Sequence, residues 1–431
     1  MRQIFCRFID RLDHVSIIFL IIFIFLFCRF VISYLLDFSS IYLMDFNVFY
    51  ETGKYILRGG GNVYSNPNLP DFFKYAPVIS LLLVPYGFFS MQVSSILWII
   101  SNIGFLMGCL YLIKKIFLKY NIQFRASIFI LALLILIKAV TTEITLGQSD
   151  ILLFLCVLGS LWAYGNQKRK HSAIFFSLAI AIKLPVLIFL IFFLFKRDFR
   201  FIGLTILAFI LLNILTVLCL NPAAPLSLIS SWISSIIQAG GNADIVIFRI
   251  SNQSLYALIG RYFGTAENYG LNVLSLSNTL IMGISIMIGF LMLIFPFLLV
   301  RICNYKEHSD LFVLSILFIL MNLFNPNCWL ANNVTLFFPL IYCLVHLGIQ
   351  KINFRNPNLY LIALCGVAIF FTHTKIWKLV NLYPYQGETY VSFVFKIWPL
   401  FNILLYFLVI TNYVLREEAA NKHSLRQMSD G

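Results

Sequence analysis

Long apolar runs separated by short basic clusters decide what this chain can become. The runs at 15–36, 94–113, 126–142, 201–220, 276–300 and 391–415 suit helices crossing a hydrocarbon core about 30 Å thick. Between and around them sit Lys114, Lys115, Lys119 and Arg125; Lys168, Arg169 and Lys170; Lys196, Arg197 and Arg200; Arg301 and Lys306; Lys351 and Arg355; and Arg416, Lys422 and Arg426. Such alternation is the positive-inside pattern of a polytopic membrane protein. Composition agrees, because 61% of residues are hydrophobic and only 11% charged, against about 25% charged in soluble domains. Mean hydropathy is +0.92. The formal charge of +14 therefore reports topology, and no nucleic-acid partner is expected. The nine cysteines are scattered without C-x-x-C spacing, which argues against a disulfide framework or a metal cluster.

The basic clusters set the direction of each crossing. Arg2, Arg7 and Arg11 precede the first run, which lacks a signal-peptide cleavage pattern and is read as an uncleaved span leaving a cytoplasmic N-terminus. Residues 37–74 then lie outside. The segment 77–89 is too short to cross, contains Pro85, and reads as a re-entrant or interfacial piece. Residues 94–113 return, 126–142 go out, 143–150 stay outside and 151–164 come back. The run 172–195 has basic residues at both ends and Lys183-Leu184-Pro185 in its middle. Proline breaks a helix and an ammonium at mid-depth is costly, so a hairpin with its tip in a polar cavity is expected. The later runs, 311–324, 334–347 and 359–371 among them, alternate around external segments at 221–269 and 372–390 and the polar turn containing Asn327, Asn332 and Asn333.

The fold class expected is an all-α polytopic membrane protein with about ten to twelve membrane segments and both termini cytoplasmic. Its place is the cell (inner or plasma) membrane. Three units follow: 1–270 with a first external loop at 37–76, the transmembrane helices of 271–415, and a polar tail at 416–431. Polar groups gather first at 44–77. There Asp45 reads as a helix N-cap, Phe46, Phe49, Tyr50, Gly53, Ile56 and Leu57 share a face, and Gly59 to Gly61 stop the helix. The expectation is a short amphipathic helix lying on the membrane surface, apolar face down.

Four motifs in order carry a resemblance. They are D-F-x-V-F-Y-x-x-G-K-x-I-L-x-G-x-N-V-Y followed by F-x-Y-A-P, then L-G-Q-S-D-I-L-L, then A-I-A-I-K-L-P with a basic run beyond it, then N-Q-S-L. Over residues 1 to about 265 the chain resembles glycosyltransferase family 87, membrane enzymes of GT-C fold that include polyprenyl-phosphate-mannose-dependent mannosyltransferases. Where such enzymes often carry histidines in the late external turn, this chain has asparagines. The resemblance implies a cell-envelope hexosyltransferase using a polyprenyl-phosphate sugar, mannose or another hexose, with inversion at the anomeric carbon and Asp45 as general base.

The chemistry leads to the same residues. An enzyme facing outward has no nucleotide sugars, so the activated sugar must arrive on a lipid phosphate, and the acceptor is a lipid or glycan. Transfer needs a carboxylate to take the acceptor's proton and cations or donors to hold the departing phosphate. Asp45 is the candidate base. Lys183, Lys74, Tyr75 and Arg261 are candidates for the donor and its phosphate, and Lys183 alternatively pairs with Glu143 or Asp150. Glu51, Gln148, Asp150, Asn252 and Gln253 are candidates for sugar or acceptor, although Glu51, like Asp71 in the same loop, reads more readily as a solvated charge. No cofactor and no metal ligand set is expected, although a divalent ion would be compatible with the chemistry. Partners are then the lipid-phosphate donor, the acceptor and membrane lipids. A polymerase or ligase of lipid-linked glycans, relying on Arg249, His373 or Lys375, and a secondary transporter with broken helices are the alternative readings.

Overall fold

A computed structural model describes residues 43–240, 252–264, 275–303, 308–346 and 398–417. The expected spans at 15–36 and 359–371, the loop at 372–390, the tail beyond 417 and residues Arg249, His373 and Lys375 lie outside the described residues. Those described are helical apart from short connections and one isolated bridge between Gly264 and Leu276. In chain order the helices are α1 (Met44–Leu57), α2 (Pro77–Gly87), α3 (Met91–Lys119), α4 (Ala126–Leu146), α5 (Asp150–Gly165) and α6 (Arg169–Ile182). There follow α7 (Leu190–Phe195), α8 (Phe199–Leu220), α9 (Pro225–Gly240), α10 (Leu255–Phe263), α11 (Asn278–Ile302), α12 (Ser309–Leu323), α13 (Phe337–His346) and α14 (Trp398–Glu417). Helices α3, α4, α8, α11 and α14 are long and apolar enough to cross a membrane. The chain is thus an all-α polytopic membrane protein.

Surface and core invert the usual soluble arrangement. Helix α8 exposes Ile206, Leu207, Ile210, Leu211, Ile214, Leu215 and Leu218, and α11 exposes Leu280, Met282, Ile286, Met287, Phe290, Leu291, Phe295 and Leu298. Continuous apolar surface of this kind is stable only against lipid. Helix α12 lies at the centre, every residue from 311 to 323 buried, as expected of a helix apolar on all sides.

The expected hairpin is present. Helix α6 ends at Lys183, which adopts extended backbone, and the chain returns through a 3₁₀ segment, Leu184–Phe189, into α7. Its two ends meet where Arg169 pairs with Asp198 at 3.1 Å and Tyr164 donates to the same carboxylate at 2.9 Å. A helix of 14 residues rises about 21 Å. The tip at Lys183 therefore lies deep, far from the basic clusters at the base.

Two expectations for α1 change. Its N-cap is Leu43, in the left-handed region at φ 61°, and Asp45 sits one residue inside the first turn without capping it. Leu43 is held there because its N–H donates to the Thr145 carbonyl at 2.7 Å, satisfying a group that the turn would otherwise orphan. Nor does the helix lie apolar face down on a membrane, since Phe46, Val48, Phe49, Tyr50, Thr52 and Gly53 are all buried within the protein. The reason is α2. A Cβ on Gly53 would fall 2.3 Å from the Leu83 carbonyl oxygen, and one on Gly87 would fall 2.6 Å from the Lys54 nitrogen, so the two backbones touch. The glycine stop behaves as expected: Gly60 N–H donates to the Tyr55 carbonyl and Gly59 N–H to Ile56, with Gly59 at φ 82°, which is a Schellman ending.

This crossing generates a paired prediction. Gly53→Ala should lower the temperature at which the detergent-solubilised protein loses its monodisperse peak, by the equivalent of about 1–3 kcal/mol for an overpacked contact. Gly104→Ala, where an added Cβ meets nothing within 4 Å, should leave that temperature unchanged or raise it. Equal behaviour of the two would show that the α1–α2 contact does not constrain the fold.

Candidate active site

The start of α1, the α4–α5 junction, the segment 73–76 and the hairpin tip converge. At the junction Gly147 ends α4 with φ 71°, and a Cβ there would fall 2.6 Å from the Phe46 Cβ. Glycine is required twice over, by dihedral and by close approach. The Gly147 carbonyl accepts from the Trp98 indole at 3.1 Å, and Trp98 stacks on Phe46 at 5.4 Å. With α1 docked on Gly147, the next residue reaches the carboxylate: Gln148 Nε2 donates to Asp45 Oδ2 at 2.5 Å.

Beyond Gln148, Ser149 donates to the Tyr75 hydroxyl at 3.3 Å and Asp150 opens α5, where the helix dipole favours a negative charge. Glu143, one turn from the end of α4, accepts from the Ile151 N–H at 3.0 Å and so caps α5 from the preceding helix. Lys183 Nζ lies 2.7 Å from Asp150 Oδ1 and 2.8 Å from Oδ2. The side chain of Asp150 is 1% accessible and that of Lys183 is 17% accessible, so the pair sits at the base of an opening rather than sealed in the core. Of the two roles read for Lys183, the ion pair is the one visible in the geometry.

Segment 73–76 closes another side. Ala76 N–H donates to the Ala181 carbonyl at 2.9 Å, which lays this segment along the hairpin tip. Phe73, Tyr75 and Phe49 form an aromatic shelf with centroids 5.4 and 5.1 Å apart, and Tyr64 donates to the Tyr75 carbonyl at 2.8 Å. Lys74, between Phe73 and Tyr75 in the chain, is exposed. Among the described residues no carboxylate lies within ion-pair distance of it.

These charges act on one another. Burial raises the Asp45 carboxyl above its ordinary pKa, opposed by Lys74, by Lys183 and by the Gln148 hydrogen bond, with Asp71 adding to the rise. Burial also lowers the Lys74 ammonium, helped by Lys183 and opposed by Asp45, Asp71 and Asp150. Tyr75 is pushed well up by burial and stays a neutral hydrogen-bonding phenol. Among the described residues no three His, Cys, Asp or Glu side chains converge as metal ligands would.

Among the described residues, the remaining candidates do not touch Asp45 or the Lys183–Asp150 pair. Asn252 holds its own turn, its amide donating to the Pro326 carbonyl at 2.7 Å and its Oδ1 accepting from Ser254 and Cys328 N–H. Gln253 N–H donates to the Cys328 carbonyl at 2.6 Å. This clasp holds the buried Cys328 thiol within the field of Lys183 and Asp150, so N-Q-S frames the site's inner wall. Arg261 is buried on α10 and donates to the carbonyls of Ala257 and Asn252, with burial lowering its pKa to about 10. Glu51 is not brought into the cluster; its carbonyl accepts from Asn66 at 3.1 Å. Asn332 and Asn333 of the late turn are buried and bond within that turn and to Asn402. Glu143, Trp98 and Cys328 were not among the residues singled out for the site. Glu143 entered the sequence reading only as a possible partner of Lys183, and no pattern pointed to Trp98 or Cys328.

The ion pair yields a prediction. Lys183→Met leaves Asp150 buried and unpaired and should cost about 3–5 kcal/mol, read as a fall in thermal stability. Asp150→Asn in the same chain should recover a large part of that loss, the coupling expected of directly paired groups. Additive losses would mean that the two side chains act independently.

The family model for glycosyltransferase family 87 matches residues 72–326, more than half the chain. No curated protein matches it. Lys74, Tyr75, Gln148, Asp150, Lys183, Asn252, Gln253 and Arg261 fall inside the matched segment, while Asp45 and Glu51 precede it. The chain belongs to glycosyltransferase family 87, and it is a membrane glycosyltransferase.

Proposed function

We propose that this member of glycosyltransferase family 87 moves a hexose from a polyprenyl phosphate to a lipid or glycan hydroxyl, with Asp45 as the base. The observation that carries the reading is the Asp45 carboxylate, fixed by Gln148 and flanked by the Lys74 ammonium. In the proposed step the acceptor oxygen attacks the anomeric carbon as its proton passes to Asp45. The bond from that carbon to the phosphate oxygen breaks, and the electron pair leaves with the polyprenyl phosphate. A single displacement inverts the anomeric centre. Lys74, in no ion pair among the described residues, meets the charge gathering on the leaving phosphate in this proposal, whereas Lys183 is held by Asp150. Lys183 thus serves the donor indirectly, by keeping the hairpin tip beside the site. The active face is the extracytoplasmic one, both termini are cytoplasmic, and mannose is the sugar that the family resemblance favours.

Membranes incubated with radiolabelled polyprenyl-phosphate sugars test the donor: label should pass to an acceptor from a lipid-phosphate hexose and not from a nucleotide sugar. Asp45→Asn should keep the fold and donor binding while losing about a hundredfold to ten-thousandfold in rate, the scale of general-base catalysis. Near-normal transfer by the folded variant would remove Asp45 from this role.

A pH profile separates the two charges. Because the Asp45 carboxyl is raised, the acid limb of the rate should lie above the ordinary carboxylate value. Activity is retained above that limb and lost as the base protonates on descending through it. Lys74→Met removes a cation that favours the ionised carboxylate, so the acid limb should move to still higher pH. An unchanged limb would mean that Lys74 and the base do not interact.

A further inference from the structure

We infer that α9 is an in-plane membrane helix, embedded in the leaflet on the side of the active site, and that its partner is the acyl-chain and headgroup boundary of that leaflet. At 100° per residue its side chains sort into three sectors. Leu228, Ser231 and Ser235 face the protein, where Leu228 and Ser235 are buried. Leu226, Ile233 and Ile237 form an apolar stripe, 79%, 50% and 70% exposed. Ser227, Ser230, Ser234 and Gln238 form an exposed polar stripe beside it. A helix in bulk water has no reason to segregate its exposed face in this way. One at a boundary has apolar residues toward the acyl chains and hydroxyls toward water.

Continuity identifies the occupant. The apolar stripe begins shortly after α8, whose exposed Ile214, Leu215 and Leu218 belong to the lipid-facing surface described above. Trp232 packs on Phe209 of α8 at 6.3 Å, a tryptophan at the corner between a span and the boundary, where such rings concentrate. Helix α9 also holds the site. Ser235 Oγ donates to the Phe73 carbonyl at 2.8 Å and Ser231 Oγ accepts from Asn62 at 2.9 Å. The depth at which α9 rests therefore sets the depth of Lys74. The membrane contact follows from exposure and patterning alone, independent of the donor and of Asp45.

A benzophenone amino acid placed singly at Leu226, Ile233, Ile237, Ser227 or Ser234 in the full chain tests this. Each variant would be reconstituted in vesicles of phosphatidylcholine and phosphatidylglycerol labelled in the acyl chains, then irradiated. Label should appear in protein substituted at the three apolar positions and be lost at the two serine positions. Equal labelling of both stripes, or adducts to a second copy of the chain instead of lipid from Ile233, would overturn the inference. Since α9 carries none of the proposed catalytic groups, each variant's fold can be verified by its monodisperse peak. A failure of this test would leave the glycosyltransferase reading intact.

Discussion

One ion pair organises the interior of this membrane protein. Lys183 and Asp150 lie on different elements, and each alone would be a charge stranded at depth in an apolar bundle. Together they fix the tip of the α6–α7 hairpin against the first turn of α5. Everything around the site is referred to that junction: segment 73–76 runs along the tip through Ala76 and Ala181, and Gln148 and Ser149 leave the same turn toward Asp45 and Tyr75. A buried pair contributes little net stability compared with apolar packing, but breaking it is expensive. Its value here is positional.

Backbone contact does the rest. Helix α1 is set by three glycines, Gly53, Gly87 and Gly147, at which neighbouring atoms come closer than any Cβ would allow. With distance set by main chain instead of flexible side chains, the carboxylate at the head of α1 has little freedom relative to Gln148. Preorganisation of this sort is what transfer chemistry demands of a base that must meet a hydroxyl brought by a second substrate.

Much of this could be read in the residues beforehand, and the failures are instructive. Among the described residues hydropathy located the five long helices because lipid leaves the backbone no alternative to helix, and Lys183-Leu184-Pro185 pointed to the hairpin because a proline and a mid-depth charge admit few arrangements. The docking of α1 could not be read, since amphipathic spacing says that a face is buried and not what buries it. Phe46 and Phe49 look the same whether they meet lipid or Trp98. Within the segment 221–269, read as external from the alternation of spans, the serines of α9 are interleaved with Leu226, Ile233 and Ile237, a helix that topology alone does not reveal. The side chains of Asn252 and Arg261 both engage backbone carbonyls, partners that no sequence pattern specifies. The identity of a buried partner is a tertiary fact.

The hairpin also bears on how the chain is made. Asp150 precedes Lys183 by 33 residues, so at usual synthesis speeds it leaves the ribosome about 2 to 7 seconds earlier. Asp150 therefore reaches the membrane ahead of its partner, at the head of the helix that Glu143 caps. The ammonium then enters the bilayer with a counter-charge already waiting, and the closing arm follows it back to the side from which it came. The order of α5 and α6 thus decides which charge waits for the other, and here it is the carboxylate that waits for the ammonium.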